Sequence, residues 1–327
     1  MPVTGVTHAD VEQMRGQLFF EGPERNRQLS RYWLLLLLAA VIASAGVVSD
    51  STATVIGAMI VAPLMTPILG IVLAVVLVDR ANLRRCVLLV LAGAAAVIAV
   101  GWLTGLAVPY PVIAATNGQV ASRVTPRIVD LVAALATGSV GSVALARSDI
   151  SDTLPGVAIA ISLVPPLAVV GLTLRSGVPS QALGAFLLFA TNVAAILASG
   201  IVVMTLYRVS RASDPATAPG FHRFAAVTII ALLLLAVLVP LWINSERIDK
   251  AQVRQADVQA VADSWANGTG WSVLGVTTRG DQVLVDVTGP NPAPGLFALR
   301  QQLDAAGLGG LDVRINPIPV SYQTVPK

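Results

Sequence analysis

The chain has 327 residues, is 55% hydrophobic and only 12% charged, and carries a mean hydropathy of +0.77 with a formal net charge of +3. A soluble domain carries about 25% charged residues, so a soluble fold of this size would lack the polar groups to cover its surface. The arginines stand beside apolar runs rather than in a patch, which excludes nucleic acid as a partner and leaves the lipid bilayer.

A single cysteine, Cys86, excludes a disulfide framework and a thiolate cluster, and the widely separated His8 and His222 lack metal-ligand spacing. No metal and no cofactor is expected. Residues 1–30 are a polar N-terminal segment, not a cleaved leader: Ala43-Ser44-Ala45 imitates a cleavage site but lies too deep. Val11, Met14 and Leu18 fall at helical spacing and predict a short amphipathic helix, lying on the membrane surface or packed on the protein.

Seven spans follow by length and flanking charge, at about Tyr32–Val48, Thr54–Val78, Leu83–Val108, Ile128–Ala146, Leu154–Leu174, Ala182–Tyr207 and Phe221–Ile243. If the N-terminus is cytoplasmic, that side holds Arg25, Arg27, Arg31, Arg80, Arg84, Arg85, Arg147, Arg208, Arg211 and Arg223, against Arg123, Arg127 and Arg175 opposite. The bias predicts a multi-pass protein of the cell membrane with a cytoplasmic N-terminus, and seven crossings then put the C-terminal domain outside.

Shifting the chain by 99 residues lays the first three spans on the next three, with Ser49-Asp50 on Ser148-Asp149, Gly57 on Gly156 and Pro67 on Pro166. Residues 31–108 are therefore read as repeat one and 126–208 as repeat two, with 209–245 a linker and seventh helix. An odd number of spans per repeat inverts the second half in the membrane. Each repeat has a proline-interrupted span: GAMIVAPLMTPILG (Gly57–Gly70) with Pro63 and Pro67, and GVAIAISLVPPLAVVG (Gly156–Gly171) with Pro165 and Pro166. Proline removes a backbone donor and breaks the helix. Freed backbone groups are tolerated at membrane depth only when buried in protein or lining a wet cavity, and paired interruptions of this kind mark transporter sites.

These motifs, with IGAMIVAPLMTPILG (Ile56–Gly70) and TNVAAILASG (Thr191–Gly200), resemble the bacterial "domain of unknown function 389" membrane proteins over about Tyr32–Tyr207. The resemblance implies a polytopic membrane domain with attached soluble segments that vary, and implies no activity.

Ionisable groups are almost absent at depth, so the candidate ligands are small polar ones. Asn192 in the sixth span is the most exceptional, as ligand for a solute or ion or as an interhelical hydrogen-bonding group; its neighbour Thr191 is read as able to bond its own helix instead. Thr66 sits between the prolines of the first break and Ser162 precedes those of the second. Asp50 and Asp149 end the first span of each half and are read either as caps of the helix that follows or as a pair of gates. Asp130 is expected to pair locally with Arg127. The TGSVGS run from Thr137 to Ser142 fits close helix packing or a permeation path, and the many small residues make a homo-oligomer plausible.

From Glu246 the composition turns soluble. A helix at Glu246–Ala266, strands at Ser272–Thr278 and Val283–Thr288 about a hairpin, a helix at Leu296–Ala306 stopping at Gly307, and a strand at Leu311–Ile315 before a proline-rich tail give α-β-β-α-β over residues 246–327. The fold class is thus an all-α polytopic membrane domain with a 3+3 inverted repeat, plus a small α+β domain. The expected function is transport or facilitated passage of a small solute or ion, with a channel or a non-transporting scaffold or sensor as alternatives. No nucleophile–base pair points to an enzyme.

Overall fold

The computed structural model describes residues 6–146, 163–207, 209, 257–267, 271–279, 282–289, 295–310 and 312–319. The seventh span, the polar linker, the first half of the fifth span, Ser162 and Asp149 lie outside them. The chain divides into two compact units, Met1–Trp242 and Ile243–Lys327.

In the first unit, α1 (His8–Leu18) begins at a capping box in which Thr7 and Asp10 satisfy each other's backbone N–H groups. Its apolar face packs on the protein: Val11, Met14 and Leu18 join the main core, and Gly70 lies under the Leu18 carbonyl. A turn through Gly22, at φ +76°, leads into α2 (Arg25–Val48). Next come α3 (Thr52–Val61), α4 (Met65–Leu77), α5 (Arg80–Leu106), the short α6 (Gly118–Val124), α7 (Ile128–Ala146), α8 (Val164–Arg175) and α9 (Pro179–Leu206).

Four of these, α2, α5, α7 and α9, are long and apolar enough to cross a membrane, and the bent pair α3–α4 makes a fifth if counted as one span. This is a membrane protein. Large apolar side chains such as Leu38, Val41, Leu88, Leu103, Val129 and Leu206 point outward along these helices, as lipid contact requires and water would penalise. In the middle lie α4 and α8. Every residue of Val164–Thr173 is buried, as is every residue of Met65–Ala74 except Thr66.

Helix starts recur at the predicted spacing. Val164 and Pro179, which open α8 and α9, stand 99 residues after Met65 and Arg80, which open α4 and α5. Packing recurs too: α4 meets α5 and α9, while α8 meets α9 and α5.

In the second unit, residues 257–266 form helix α10. Strands β1 (Ser272–Arg279) and β2 (Gln282–Gly289) pair antiparallel, α11 (Leu296–Ala305) crosses over, and β3 (Asp312–Pro319) pairs parallel to β2. Val283, Val285 and Val287 alternate onto one face, where Val258, Ala262, Trp265 and Leu303 cover them. Gly307, at φ +75°, ends α11, with the Leu308 N–H returning to the Leu303 carbonyl. The last strand runs four residues past the predicted Ile315, so Pro317 and Pro319 are strand residues rather than tail. The order β1-β2-β3 explains this, because β3 is an edge where a missing donor need not face a neighbour.

Candidate functional site

The two prolines of the first interruption act differently. Ala62, the residue before Pro63, leaves the helix for extended backbone at φ −69° and ψ 125°, as the pyrrolidine ring demands of its predecessor. The Thr66 N–H turns back to the Pro63 carbonyl at 3.2 Å, and α4 restarts at Met65, bent 46° from α3. Pro67 then falls in the first turn of α4, where a backbone N–H would have no intrahelical acceptor, so it costs nothing there. Pro63 breaks and Pro67 restarts. Pro165 and Pro166 likewise occupy the first turn of α8, and Pro166 stands where Pro67 does.

A cavity of about 490 Å³ opens beside this break. Ile60, Val61, Ala62, Pro63 and Thr66 form one wall; Gln28, Arg31, Tyr32 and Leu35 of α2 form another; the end of α1, from Gly16 to Phe20, forms the third. The wall contributed by α3 is a helix C-terminus, whose last carbonyls carry partial negative charge. With Pro63 in place the Met59 carbonyl loses its intrahelical donor altogether. The Gln28 Oε1 is buried with no hydrogen-bond partner, while its amide reaches the Gly16 carbonyl at 3.4 Å. The Tyr32 hydroxyl donates to the Leu89 carbonyl at 3.1 Å.

Of the residues singled out from sequence, Pro63 and Thr66 line this cavity. Pro67, Pro165 and Pro166 are buried in helix packing. Asn192 is 3% exposed on α9, and Thr191, 2% exposed, donates to the Leu187 carbonyl at 2.7 Å, within its own helix. None of these five borders the cavity. Gln28, Arg31 and Tyr32 do border it and were not candidates. Arg31 had counted only as an orientation charge, and nothing local in the sequence places α2 against the break.

Asp50 differs from expectation. The cap of α3 is Ser51, whose hydroxyl accepts from the Thr54 N–H at 3.3 Å. Asp50, at φ +52°, instead accepts from the Gln119 N–H at 2.8 Å, in the first turn of α6. The contact is long-range, which is why sequence proximity pointed to the wrong helix. Asn117 caps α6 and donates to the Val47 carbonyl at 2.7 Å, and Gln119 donates to the Thr52 hydroxyl at 2.7 Å. Arg123 belongs to the same knot: burial depresses its pKa, and the nearby Asp50 charge opposes that shift.

At the other end of α2, Arg15 lies 3.4 Å from Asp79 and 3.7 Å from Glu21. Asn82 donates to both carboxylates, at 2.9 and 3.0 Å, and Arg85 lies 3.7 Å from Glu21. This cluster latches α1 to the turn between α4 and α5. Burial pushes the Asp79 carboxyl up, but hydrogen bonds from Asn82 and the Arg15 charge outweigh that and hold it below the usual carboxylate value. The Arg127–Asp130 pair forms as predicted, with the Arg127 N–H 2.8 Å from the carboxylate. The small residues of the TGSVGS run serve packing: a side chain on Gly138 would meet the Ile196 backbone, and one on Gly200 would meet Ser142.

Residues 59–198 match the family model described as "Domain of unknown function (DUF389)". This bears out the resemblance carried by the two proline motifs. A protein of Methanocaldococcus jannaschii described as uncharacterized is 35% identical over 177 residues, which is 54% of each chain. The chain thus spans about half the length of that relative. No solved structure matches the chain.

Proposed function

We propose that this chain carries a small polar solute or ion across the cell membrane, as a transporter or facilitator rather than an enzyme. The observation that carries the reading is the cavity at the α3–α4 break. There a membrane-spanning chain gives up helical hydrogen bonds beside a space open to solutes. Backbone left unsatisfied in hydrocarbon costs several kcal/mol per group. A break of this kind persists because something polar reaches it.

An inverted repeat gives the break its mechanical sense. The matched helix starts of α4 with α8 and α5 with α9, and their reciprocal packing, are what a pseudo-two-fold axis in the membrane plane would produce. Rocking of one half against the other would close and reopen the cavity at α3–α4. In this reading Asn192, buried beside the central helices, tunes helix packing near the path. By the arginine bias the N-terminus would be cytoplasmic, and seven crossings would then put the soluble unit outside. The outward apolar faces admit a homo-oligomer as well as lipid.

The test is solute uptake into proteoliposomes containing the purified chain, run over a panel of small acids, bases and neutral solutes. Saturable uptake of at least one solute, reduced at least tenfold by Pro63→Ala in a variant that remains monodisperse, supports transport. Absence of flux for every solute sinks it. Unitary current steps without saturation would replace it with a channel.

A further inference from the structure

We propose that the cavity at the α3–α4 break binds a small apolar-tailed amino or hydroxy acid. The proposal rests on the transport reading and gives that site its substrate class. Three features of the wall bear on it.

Arg31 supplies a guanidinium that no described carboxylate reaches within ion-pair distance, and no acidic side chain lines the space. An oxyanion is the natural partner of such a fork. The remaining polar groups mostly ask for the opposite. The Gln28 Oε1 is buried without a partner, and Ile60 and Val61 in the wall belong to the last turn of α3, where helix carbonyls lack intrahelical donors. A simple anion would satisfy Arg31 and leave these acceptors bare; a simple cation would satisfy them and face Arg31. A molecule with a carboxylate and its own ammonium or hydroxyl donor answers both, and the Thr66 hydroxyl can serve either end. Leu35, Phe19 and Ile60 add an apolar stretch of wall for a hydrocarbon tail, with Gln17 and Tyr32 as further polar lining. About 490 Å³ lies within the range of small-molecule sites.

The experiment compares four probes of one carbon skeleton by thermal shift and equilibrium dialysis of the full chain in detergent. They are leucine, 2-hydroxy-4-methylpentanoate, 4-methylpentanoate (an acid without the donor) and isoamylamine (a donor without the acid). The first two are expected to bind at least tenfold tighter than the last two. Arg31→Gln should remove the preference for the carboxylate, Arg31→Lys should retain part of it, and Gln28→Leu should narrow the gap between leucine and 4-methylpentanoate. The exposure of Arg31 makes its replacement safe for folding.

Equal binding of all four probes, binding of none, or binding indifferent to Arg31→Gln would overturn the proposal. So would loss of leucine binding when phosphatidylserine is added to phosphatidylcholine nanodiscs, which would assign the cavity to a lipid headgroup. Uptake of some other solute without leucine binding rejects the class and leaves transport standing. Leucine binding without any uptake supports the class and rejects transport.

Discussion

Gly101 and Gly171 lie backbone against backbone where α5 crosses α8: a side chain on Gly171 would meet the Ile98 carbonyl, the Trp102 N–H and, at 2.9 Å, the Gly101 carbonyl carbon. The pair has a counterpart. Adding 99 to the first residue and subtracting it from the second gives Gly200 and Val72, and a side chain on Gly200 would stand 3.0 Å from the Val72 Cγ2. One pair joins the last helix of the first half to the central helix of the second. The other joins the last helix of the second half to the central helix of the first.

The first prediction follows from that crossing. Gly171→Ala places a methyl against backbone that no rotamer can move, so α5 and α8 must separate. Overpacking of this kind costs about 1–3 kcal/mol, and the midpoint of thermal unfolding in detergent should fall by several degrees. Gly57 is the control, because a methyl added there would find nothing within 4 Å. Gly57→Ala should be neutral or stabilising by about 0.5–1 kcal/mol, because alanine loses less freedom in a helix. Equal behaviour of the two variants would refute the close crossing.

How much of this could be read from the chain alone depends on whether the physics was local. The interruptions ahead of α4 and α8 were legible because proline punctuates a hydrophobic run, and the starts of α5 and α9 were read three residues late, at Leu83 and Ala182. The small domain was legible for the same reason, down to Gly307 ending α11. What sequence hid was contact at a distance. Asp50 lies next to Ser51 and Thr52, so a cap on α3 was the economical reading, yet its partner is Gln119. Arg31 looked like one more membrane-border charge until α2 was seen against the Pro63 break. Pro67 looked like half of a double break because spacing alone does not say which proline restarts the helix.

Asp50 yields the second prediction. Its carboxylate accepts the Gln119 N–H in the first turn of α6, from a left-handed backbone conformation that non-glycine residues adopt at a cost. Asp50→Asn keeps an acceptor and a residue tolerant of that conformation, so it should be nearly silent. Asp50→Ala leaves the Gln119 N–H without its acceptor and should cost about 1–3 kcal/mol. Asp50→Gly should fall between them, because relief of backbone strain offsets part of the lost hydrogen bond. Thermal unfolding of the three variants gives the order. A silent Asp50→Ala would mean the Gln119 contact carries no weight.

The latch on α1 is pH-dependent through Asp79. Its carboxyl titrates below the ordinary value of 3.8, so folding favours the ionised form. The contribution is complete above about pH 5 and is lost as pH falls through the lowered value. Hydrogen-exchange protection of residues 8–18 should therefore hold from pH 7 to pH 5 and drop between pH 4 and pH 3. In Asp79→Asn the helix should already exchange faster at pH 7, with a smaller further loss in acid. Protection that ignores both acid and the substitution would detach α1 from the Arg15–Glu21–Asp79 cluster.

The last prediction separates the cavity from the packed interior. Thr66 borders the open space beside Pro63, whereas Asn192 is 3% exposed among the central helices. In a Cys86→Ala background, a cysteine introduced by Thr66→Cys should react with a small charged thiol reagent in the membrane, and one introduced by Asn192→Cys should not. Cys86 itself is buried beneath Gly70, so the background change removes the only native thiol without touching the cavity wall. Occupancy adds a further constraint: a solute bound between Arg31 and the end of α3 should slow labelling at Thr66→Cys in proportion to its saturation. If both positions label alike, the break is no more accessible than the helix core, and the space beside Pro63 cannot admit a solute from water.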